Sequence, residues 1–216
     1  MHKNGKISLK EQIYTQVMND IIAGVYKPSE ILNEKQLVEK YGVSKSPVRD
    51  ALIELCKEGV LYSHPRYGYE IVTVNEKEVE DIINFRLMLE PQCLRQAIHW
   101  MDKKDIDELK AFTHQNCRVE GEISIWQHWD NNKLFHLKLN SYCRNAYCYK
   151  TLENSLSVLT RAYAQNYWDR WRTTYFNLDC EGHLEIIRLM EEGRVEESVQ
   201  QLKRDIQSFQ EVLQRC

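Results

Sequence analysis

The stretch that most constrains the fold is Tyr41–Leu61, YGVSKSPVRDALIELCKEGVL. A Gly-Val-Ser turn leads into a short helix that Ser44 can cap, and Pro47 is tolerated in its first turn. Apolar residues recur at helical spacing on one side of this helix. Its exposed N-terminal face carries Lys45, Ser46 and Arg49. A buried face combined with a cationic N-terminal end is typical of a recognition helix for the DNA major groove, although a solvated amphipathic helix would show the same pattern.

The segments on either side of this helix favour a recognition helix over a solvated amphipathic helix. Asn33 can cap a preceding helix over about 34–41, which stops at Gly42, so two short helices are joined by a tight turn. After Gly59, two β-favouring runs at 60–63 and 69–72 flank the turn-forming residues HPRYG. A hairpin with a basic tip that follows a helix-turn-helix predicts a winged helix, whose tip reaches the minor groove or the phosphates.

The remainder of the chain shows helical periodicity and no convincing strand. Helices are predicted near 76–101, 105–120, 124–143, 146–170, 177–192 and 195–214. Amphipathic helices joined by short connections make a helical bundle. We therefore predict a mostly α fold with two domains, a winged helix-turn-helix with a small β-hairpin wing at 1–74 and an all-α bundle at 75–216.

Composition restricts the class of protein. The formal net charge is -3, so nucleic-acid binding must come from the local placement of cations. The seven cysteines form no C-x-x-C pair, which favours reduced thiols over a disulfide framework or a zinc ribbon. We expect no signal peptide at the start of this sequence, and the sequence contains no run of 18 apolar residues. These observations predict a cytoplasmic protein that does not enter a membrane.

Two stretches resemble a known family. The segment IYTQVMNDIIAGVYKPSEILNEKQLVEKYGVSKSPVRDALIELCKEGVL resembles the GntR-type winged-helix regulators. The segment FRLMLEPQCLRQAI resembles the Arg-x-x-x-Glu helix of the FadR-like branch, whose ligand-binding domain is of the all-helical FCD type. The resemblance implies a homodimeric transcription factor that binds a palindromic operator in double-stranded DNA. It also implies that the domain at 75–216 dimerises and binds a small-molecule effector that changes operator affinity.

The resemblance also places the DNA contacts. They fall on nine residues, namely Lys35, Ser44, Lys45, Ser46, Pro47 and Arg49, and the wing residues Arg66, Tyr67 and Gly68. Many members have arginine where this chain has Lys35 and Lys45. Because lysine cannot form a fork on guanine, we expect these two residues to hold phosphates and Arg49 to read bases.

A metal site is a second implication. Metal-binding members use an Asp and a His four residues apart, followed by two further His, and here those positions are Asn132, His136, His183 and Asp205. Residues 132 and 136 share a helix face, and antiparallel helices around Gly193 would bring His183 level with Asp205. The set fits zinc, manganese or nickel, although an amide oxygen is a poor ligand for soft metals. A metal-free site in which Asp205 pairs with either histidine fits the same residues.

Arg86 is the leading candidate for binding an effector. It shares an apolar face of its helix, so that its guanidinium is directed inward. There it either pairs with Glu90 four residues on or forms a fork for a ligand carboxylate or phosphate. Weaker candidates are Ser141, Asn145 and Arg161.

Three functions remain open at this point. The first is a transcription regulator whose operator affinity is modulated by a small metabolite, a carboxylate, through a bound metal ion. The second is a constitutive DNA-binding dimer without an effector. The third is a metalloenzyme in a helical bundle, but the sequence shows no clear nucleophile–base pair and no Glu-x-x-His of the di-iron kind. We therefore expect a protein that is not an enzyme.

Overall fold

The computed structural model describes residues 7–117, 125–166 and 178–214. The chain divides into two compact units, of which the first comprises 1–75 with 161–166 and the second 76–160 with 167–216. Both this division and the one predicted from sequence separate the winged helix from the bundle. The domain bounds 1–74 and 75–216 stay a prediction.

The first unit is a winged helix. Its helices are α1 (Leu9–Ile22), α2 (Glu34–Tyr41) and α3 (Lys45–Lys57), and its strands are β1 (Ile31–Leu32), β2 (Leu61–His64) and β3 (Gly68–Ile71). The three strands form an antiparallel sheet in the order β1-β3-β2. Its core is built from apolar residues at helical spacing, and Val17, Val48, Leu52 and Leu55 are completely buried. The side of α3 opposite its cations is therefore the side that anchors it.

Local signals explain most of these boundaries. Asn33 accepts a hydrogen bond from the Lys35 backbone N–H and caps α2, which ends at Gly42 in the left-handed conformation. Ser44 precedes α3, but its side chain makes no capping hydrogen bond, so the predicted cap is wrong in that detail. Gly68 is required by close packing, because a Cβ there would lie 2.6 Å from the Leu32 carbonyl oxygen.

The second unit is helical. It contains α4 (Glu76–Trp100), α5 (Lys103–Cys117), α6 (Ile125–Ser141), most of α7 (Ala146–Asn166), α8 (Leu178–Glu191) and α9 (Val195–Gln214). Helices α8 and α9 meet at a tight turn around Gly193, and α9 packs against both α8 and α4. The predicted fold class, a winged helix-turn-helix followed by an all-α bundle, is confirmed.

Two further expectations concern membranes and cysteines. Within residues 7–117, 125–166 and 178–214, no helix has the length and apolar character that a membrane span requires. Cys56, Cys93, Cys143 and Cys148 are free thiols, as expected. Cys180 is disulfide-bonded, so the expectation that every cysteine is reduced was wrong.

Candidate DNA interface and buried polar cluster

The N-terminal end of α3 and the wing border one cleft. This cleft has a volume of about 590 Å³ and lies within the winged helix. Six of the nine residues predicted to contact DNA line it, namely Lys35, Lys45, Arg49, Arg66, Tyr67 and Gly68. The other three, Ser44, Ser46 and Pro47, lie at the start of α3, where both serines are exposed and the proline is half-buried. The fold thus brings residues that are up to 33 positions apart in sequence around a single concave surface.

The wing presents a basic and aromatic tip. Arg66 is exposed and adopts a left-handed backbone conformation with φ 66°. Tyr67 is 70% exposed, and its ring meets the His64 ring edge to face. His64 is held in turn by Glu70, with 2.5 Å between the His64 Nε2 and Glu70 Oε2 atoms. Cationic and aromatic groups at a hairpin tip suit contacts with phosphates and with the edges of a groove.

Glu34 is a member of this surface that the sequence reasoning missed. Its carboxylate accepts hydrogen bonds from Arg49 Nε at 3.1 Å and Nη2 at 3.3 Å, and from the Tyr69 hydroxyl at 3.0 Å. Lys45 Nζ lies 3.3 Å from the same carboxylate. Burial acts to raise the pKa of Glu34, but the bonds from Arg49, Tyr69 and Lys45 outweigh it and the pKa is lowered. An ionised carboxylate therefore lies among the cations of the recognition helix.

A cluster of three ionisable side chains is buried in the helical unit. It consists of His136 on α6, His183 on α8 and Asp205 on α9. The His136 Nε2 atom lies 3.0 Å from Asp205 Oδ2, and the His183 Nε2 atom lies 3.5 Å from Asp205 Oδ1. None of His136 Nε2, His183 Nε2 and Asp205 Oδ2 makes a hydrogen bond of acceptable geometry within the described residues. Two imidazoles and a carboxylate thus converge on one point without satisfying one another.

Glu90 and Arg86 fix the orientation of His136. The Glu90 Oε2 atom lies 2.6 Å from His136 Nδ1, and Arg86 Nε donates to Glu90 Oε1 at 2.6 Å. Burial acts to raise the pKa of Glu90, but the charges of Arg86 and His136 outweigh it and lower the pKa. Because an ionised carboxylate only accepts hydrogen bonds, His136 Nδ1 carries the proton that it donates to Glu90.

That proton has a consequence for the other side of the ring. A neutral His136 would direct a lone pair at the Asp205 carboxylate 3.0 Å away, so a proton or a cation must lie between them. Burial acts to lower the pKa of His136, but Glu90 and Asp205 outweigh it and raise this pKa to about 8. The pKa of Asp205 is held well below its usual range, against the effect of burial, by His183 and His136. Two arrangements therefore satisfy the cluster electrostatically. One is an ion pair between a protonated His136 and the ionised Asp205, and the other is a metal ion bound between them.

The surroundings of the cluster are closely packed. Asn132 is buried one helical turn before His136, on the same face of α6. The Phe135 ring stacks on His183 with 3.8 Å between the ring centroids. A Cβ at Gly182 would lie 3.2 Å from Asp205 Oδ1, so the backbone of α8 approaches this carboxylate closely. All four residues predicted as metal ligands are therefore buried, and three of them place their ligand atoms within 4.8 Å of one another.

The residues predicted to bind an effector are not brought together as a set. Arg86 is completely buried beside the cluster, and its Nη1 and Nη2 atoms find no hydrogen-bond acceptor in the described part of the chain. Ser141 is exposed and donates to the Lys138 carbonyl, and Asn145 caps α7 by accepting from the backbone N–H groups of Tyr147 and Cys148. Arg161 is buried and belongs to the winged-helix unit. Arg86 alone combines an inward guanidinium with proximity to the cluster.

Two family models match the chain, one on each side of the division between the winged helix and the helical unit. The family of bacterial regulatory proteins called gntR matches residues 9–71, and the FCD domain matches residues 81–208. The winged-helix surface therefore lies in the first match. The cluster of His136, His183 and Asp205 lies in the second.

Individual relatives of this chain are named as transcriptional regulators. The uncharacterized HTH-type transcriptional regulator YdhC of Bacillus subtilis (strain 168) is 30% identical over 150 residues, which cover 66% of this chain and 64% of that protein. McbR of Escherichia coli (strain K12), named as an HTH-type transcriptional regulator, is 26% identical over 62% of this chain and 60% of its own length. The matches thus span less than two thirds of both relatives. The Nta operon transcriptional regulator of Aminobacter aminovorans is 28% identical over 80% of this chain and 79% of that protein.

A solved structure shares the fold. The structure of E. coli McbR/YncC matches with a TM-score of 0.75 and 20% sequence identity, over 97% of this chain and 99% of that one. At this identity the likeness establishes the architecture. The names of the relatives agree with the expectation that a chain of this kind is not an enzyme.

Proposed function

The chain belongs to the GntR family of bacterial regulatory proteins and carries an FCD domain, and from this membership we propose that it is a transcription regulator. In this proposal it binds a palindromic operator as a homodimer, in the cytoplasm, and a small carboxylate changes its operator affinity. The observation that carries the proposal is the convergence of Lys45, Arg49 and the wing tip on one cleft.

The exposed groups around this cleft suit duplex DNA. Arginine can donate two parallel hydrogen bonds to guanine O6 and N7, whereas lysine acts as a point charge toward phosphate. We assign base readout to Arg49, phosphate contacts to Lys35 and Lys45, and groove contacts to Arg66, Tyr67 and Gly68. Ser44, Ser46 and Pro47 form the start of α3, where serine hydroxyls and the N-terminus of a helix can contact phosphate oxygens. Two copies related by a two-fold axis would place two such helices in successive major grooves.

The buried cluster supports a site for a divalent cation. His136, His183 and Asp205 supply two imidazoles and one carboxylate, with Asn132 as the fourth candidate ligand. Their ligand atoms converge without hydrogen-bonding to one another, and the carboxylate of Glu90 orients His136 from behind, as partners of metal-bound histidines commonly do. This donor set suits zinc, manganese or nickel. Bound there, the ion would offer a Lewis-acidic contact to a ligand oxygen.

Arg86 supports the assignment of a carboxylate effector. Its Nε is committed to Glu90, while its Nη1 and Nη2 atoms are buried and free of acceptors among the described residues. A buried guanidinium edge of this kind is well suited to bind a carboxylate with two hydrogen bonds. The effector would act by binding more tightly to one arrangement of the two winged helices than to another.

Gel shifts test the proposal. Duplexes from the DNA that flanks the gene are titrated with the purified protein at moderate salt, with and without an excess of unrelated duplex. We expect saturable binding of one duplex that survives the competitor, and a footprint with two-fold symmetry. Binding that is equally strong to all duplexes, or absent, would contradict DNA recognition.

A second titration separates a regulated protein from a constitutive one. Mono-, di- and tricarboxylates are added to the protein–DNA complex, each with and without zinc, and the dissociation constant is measured. We expect at least one carboxylate to change it by about fivefold or more, the lower end of typical allosteric coupling. A dissociation constant that no carboxylate changes would favour the constitutive alternative. The Arg86→Lys variant, which keeps the charge and loses the fork, should respond less.

A further inference from the structure

Glu34 makes an unusual set of contacts for an acidic residue on a surface that must approach phosphates. Its side chain is only 17% exposed, and it lies at the first position of α2. It binds two cations of α3 and the hydroxyl of Tyr69, which belongs to strand β3 of the wing sheet. A carboxylate without a function here would only repel DNA.

The way in which Glu34 binds Arg49 leaves one edge of the guanidinium available. A guanidinium has five N–H groups, which offer one bidentate edge through Nε and an Nη, and a second edge through both Nη atoms. Glu34 occupies the first edge, since it accepts from Nε at 3.1 Å and from Nη2 at 3.3 Å. The edge formed by Nη1 and the second N–H of Nη2 has two parallel donors and can pair with guanine O6 and N7.

Lys45 and Tyr69 complete the arrangement. Lys45 Nζ lies 3.3 Å from Glu34 and compensates the charge of the carboxylate. Glu34, Lys45 and Arg49 together therefore keep a net charge of one positive unit. The Tyr69 hydroxyl, 3.0 Å from Glu34 Oε1, ties the carboxylate to the wing sheet and restricts its movement. The pKa of Glu34 is lowered, so the carboxylate remains ionised at neutral pH.

We propose that Glu34 is a specificity-determining positioning residue. It holds Arg49 through Nε and Nη2, so that the edge formed by Nη1 and Nη2 reads guanine in the major groove. This inference rests on the proposed function and deepens it, because it assigns the recognised base and the residue that enforces the choice. An arginine without such a partner would be free to move to the nearest phosphate, where it contributes affinity but no sequence preference.

The test compares sequence preference with general affinity. A randomised duplex library is selected with the wild-type protein, and the dissociation constants are then measured for the best site, for single-base variants of it and for an unrelated duplex. In Glu34→Gln one negative charge is removed, so binding to the unrelated duplex should strengthen or stay equal. The preference for guanine at one position should fall by about tenfold, within the range for a bidentate base contact.

Glu39→Gln is the matched control. Glu39 lies on the same helix, its substitution changes the charge by the same amount, and its cationic partner is Lys35 at 3.9 Å and not Arg49. This control should leave the guanine preference unchanged. In an Arg49→Ala background, Glu34→Gln should have no further effect on that preference, because both act through the same guanidinium.

The outcomes separate this inference from the proposed function. If the wild-type protein selects no site, the proposed function fails. If it selects a site with a guanine preference that Glu34→Gln does not reduce, or that Glu39→Gln reduces equally, only the role of Glu34 is overturned. Should Glu34→Gln not fold, Tyr69→Phe removes one hydrogen bond to Glu34 with little change in shape. An unchanged guanine preference in Tyr69→Phe would then overturn the inference.

Discussion

Two arginine–glutamate pairs lie in opposite environments in this molecule. In the winged helix, Arg49 Nε lies 3.1 Å from Glu34 Oε1, and the arginine side chain is 52% exposed. In the helical unit, Arg86 Nε lies 2.6 Å from Glu90 Oε1, and the arginine side chain is completely buried. Both pairs use the Nε of the arginine and leave the end of the guanidinium available for another group.

The difference between the pairs lies in what the loss of the partner costs. Around Arg49, water and salt screen the attraction, so loss of this pair changes the free energy of unfolding little. Around Arg86, neither charge can be left without its partner, because burial of a lone ion costs several kcal/mol. The exposed pair is therefore suited to recognition, and the buried pair to holding His136 in place.

The largest effect is expected for Arg86→Met, at the buried pair. This substitution leaves Glu90 buried with only His136 as its partner, and we expect the free energy of unfolding to fall by about 3 to 5 kcal/mol. Chemical denaturation of the purified protein measures the change. The matched variant Arg49→Met removes the arginine of the exposed pair and should leave the unfolding midpoint unchanged within error. Equal effects of the two substitutions would contradict the distinction between the pairs.

The next largest effect is expected at the buried cluster, in which Glu90 orients His136. If His136, His183 and Asp205 bind a divalent metal, the ion at 100 times its dissociation constant should raise the free energy of unfolding by about 2.7 kcal/mol. Thermal melting with zinc, manganese and nickel, together with elemental analysis of the purified protein, measures this.

Asp205→Asn is the variant that should abolish the stabilisation, because it removes the one carboxylate among the three clustered ligands. Asp130→Asn is its control, since Asp130 is exposed two residues before Asn132 and should not affect metal binding. No retained metal and no shift in melting for the wild-type protein would favour the metal-free pairing of Asp205 with the two histidines.

The two regions also differ in how far the sequence predicts them. Helix bounds follow from local periodicity and capping, so α2 at Glu34–Tyr41 and α9 at Val195–Gln214 match the predicted ranges. The antiparallel turn at Gly193 correctly placed His183 level with Asp205. Contacts between elements distant in sequence could not be predicted: the sequence indicates Glu34 only as the start of a helix, and the hydrogen bond from His136 to Glu90 depends on how α4 packs on α6. Strand β1 was missed because two residues carry no period.

A smaller effect is expected at the base-reading end of Arg49. In Arg49→Ala, discrimination between the best operator and a variant with one guanine replaced should fall by about 1 to 3 kcal/mol. The general affinity should fall less, because Lys35, Lys45 and Arg66 remain. Competition gel shifts with the two duplexes measure the ratio. A preference that survives the substitution would assign base readout to another residue, and the wing would be the next candidate.

The smallest effect is expected for Lys45→Ala. Lys45 is exposed and shares Glu34 with Arg49, so its removal takes away one cation from the surface without emptying the base-reading position. Binding should weaken by the same factor for all duplexes, and the slope of log K against log salt should decrease in magnitude by about one unit. Titrations at four salt concentrations, with operator and unrelated duplex, measure both quantities. If Lys45→Ala instead lowers the preference for one base, then Lys45 reads sequence as Arg49 does. The separation between a phosphate-holding lysine and a base-reading arginine on one helix would then fail.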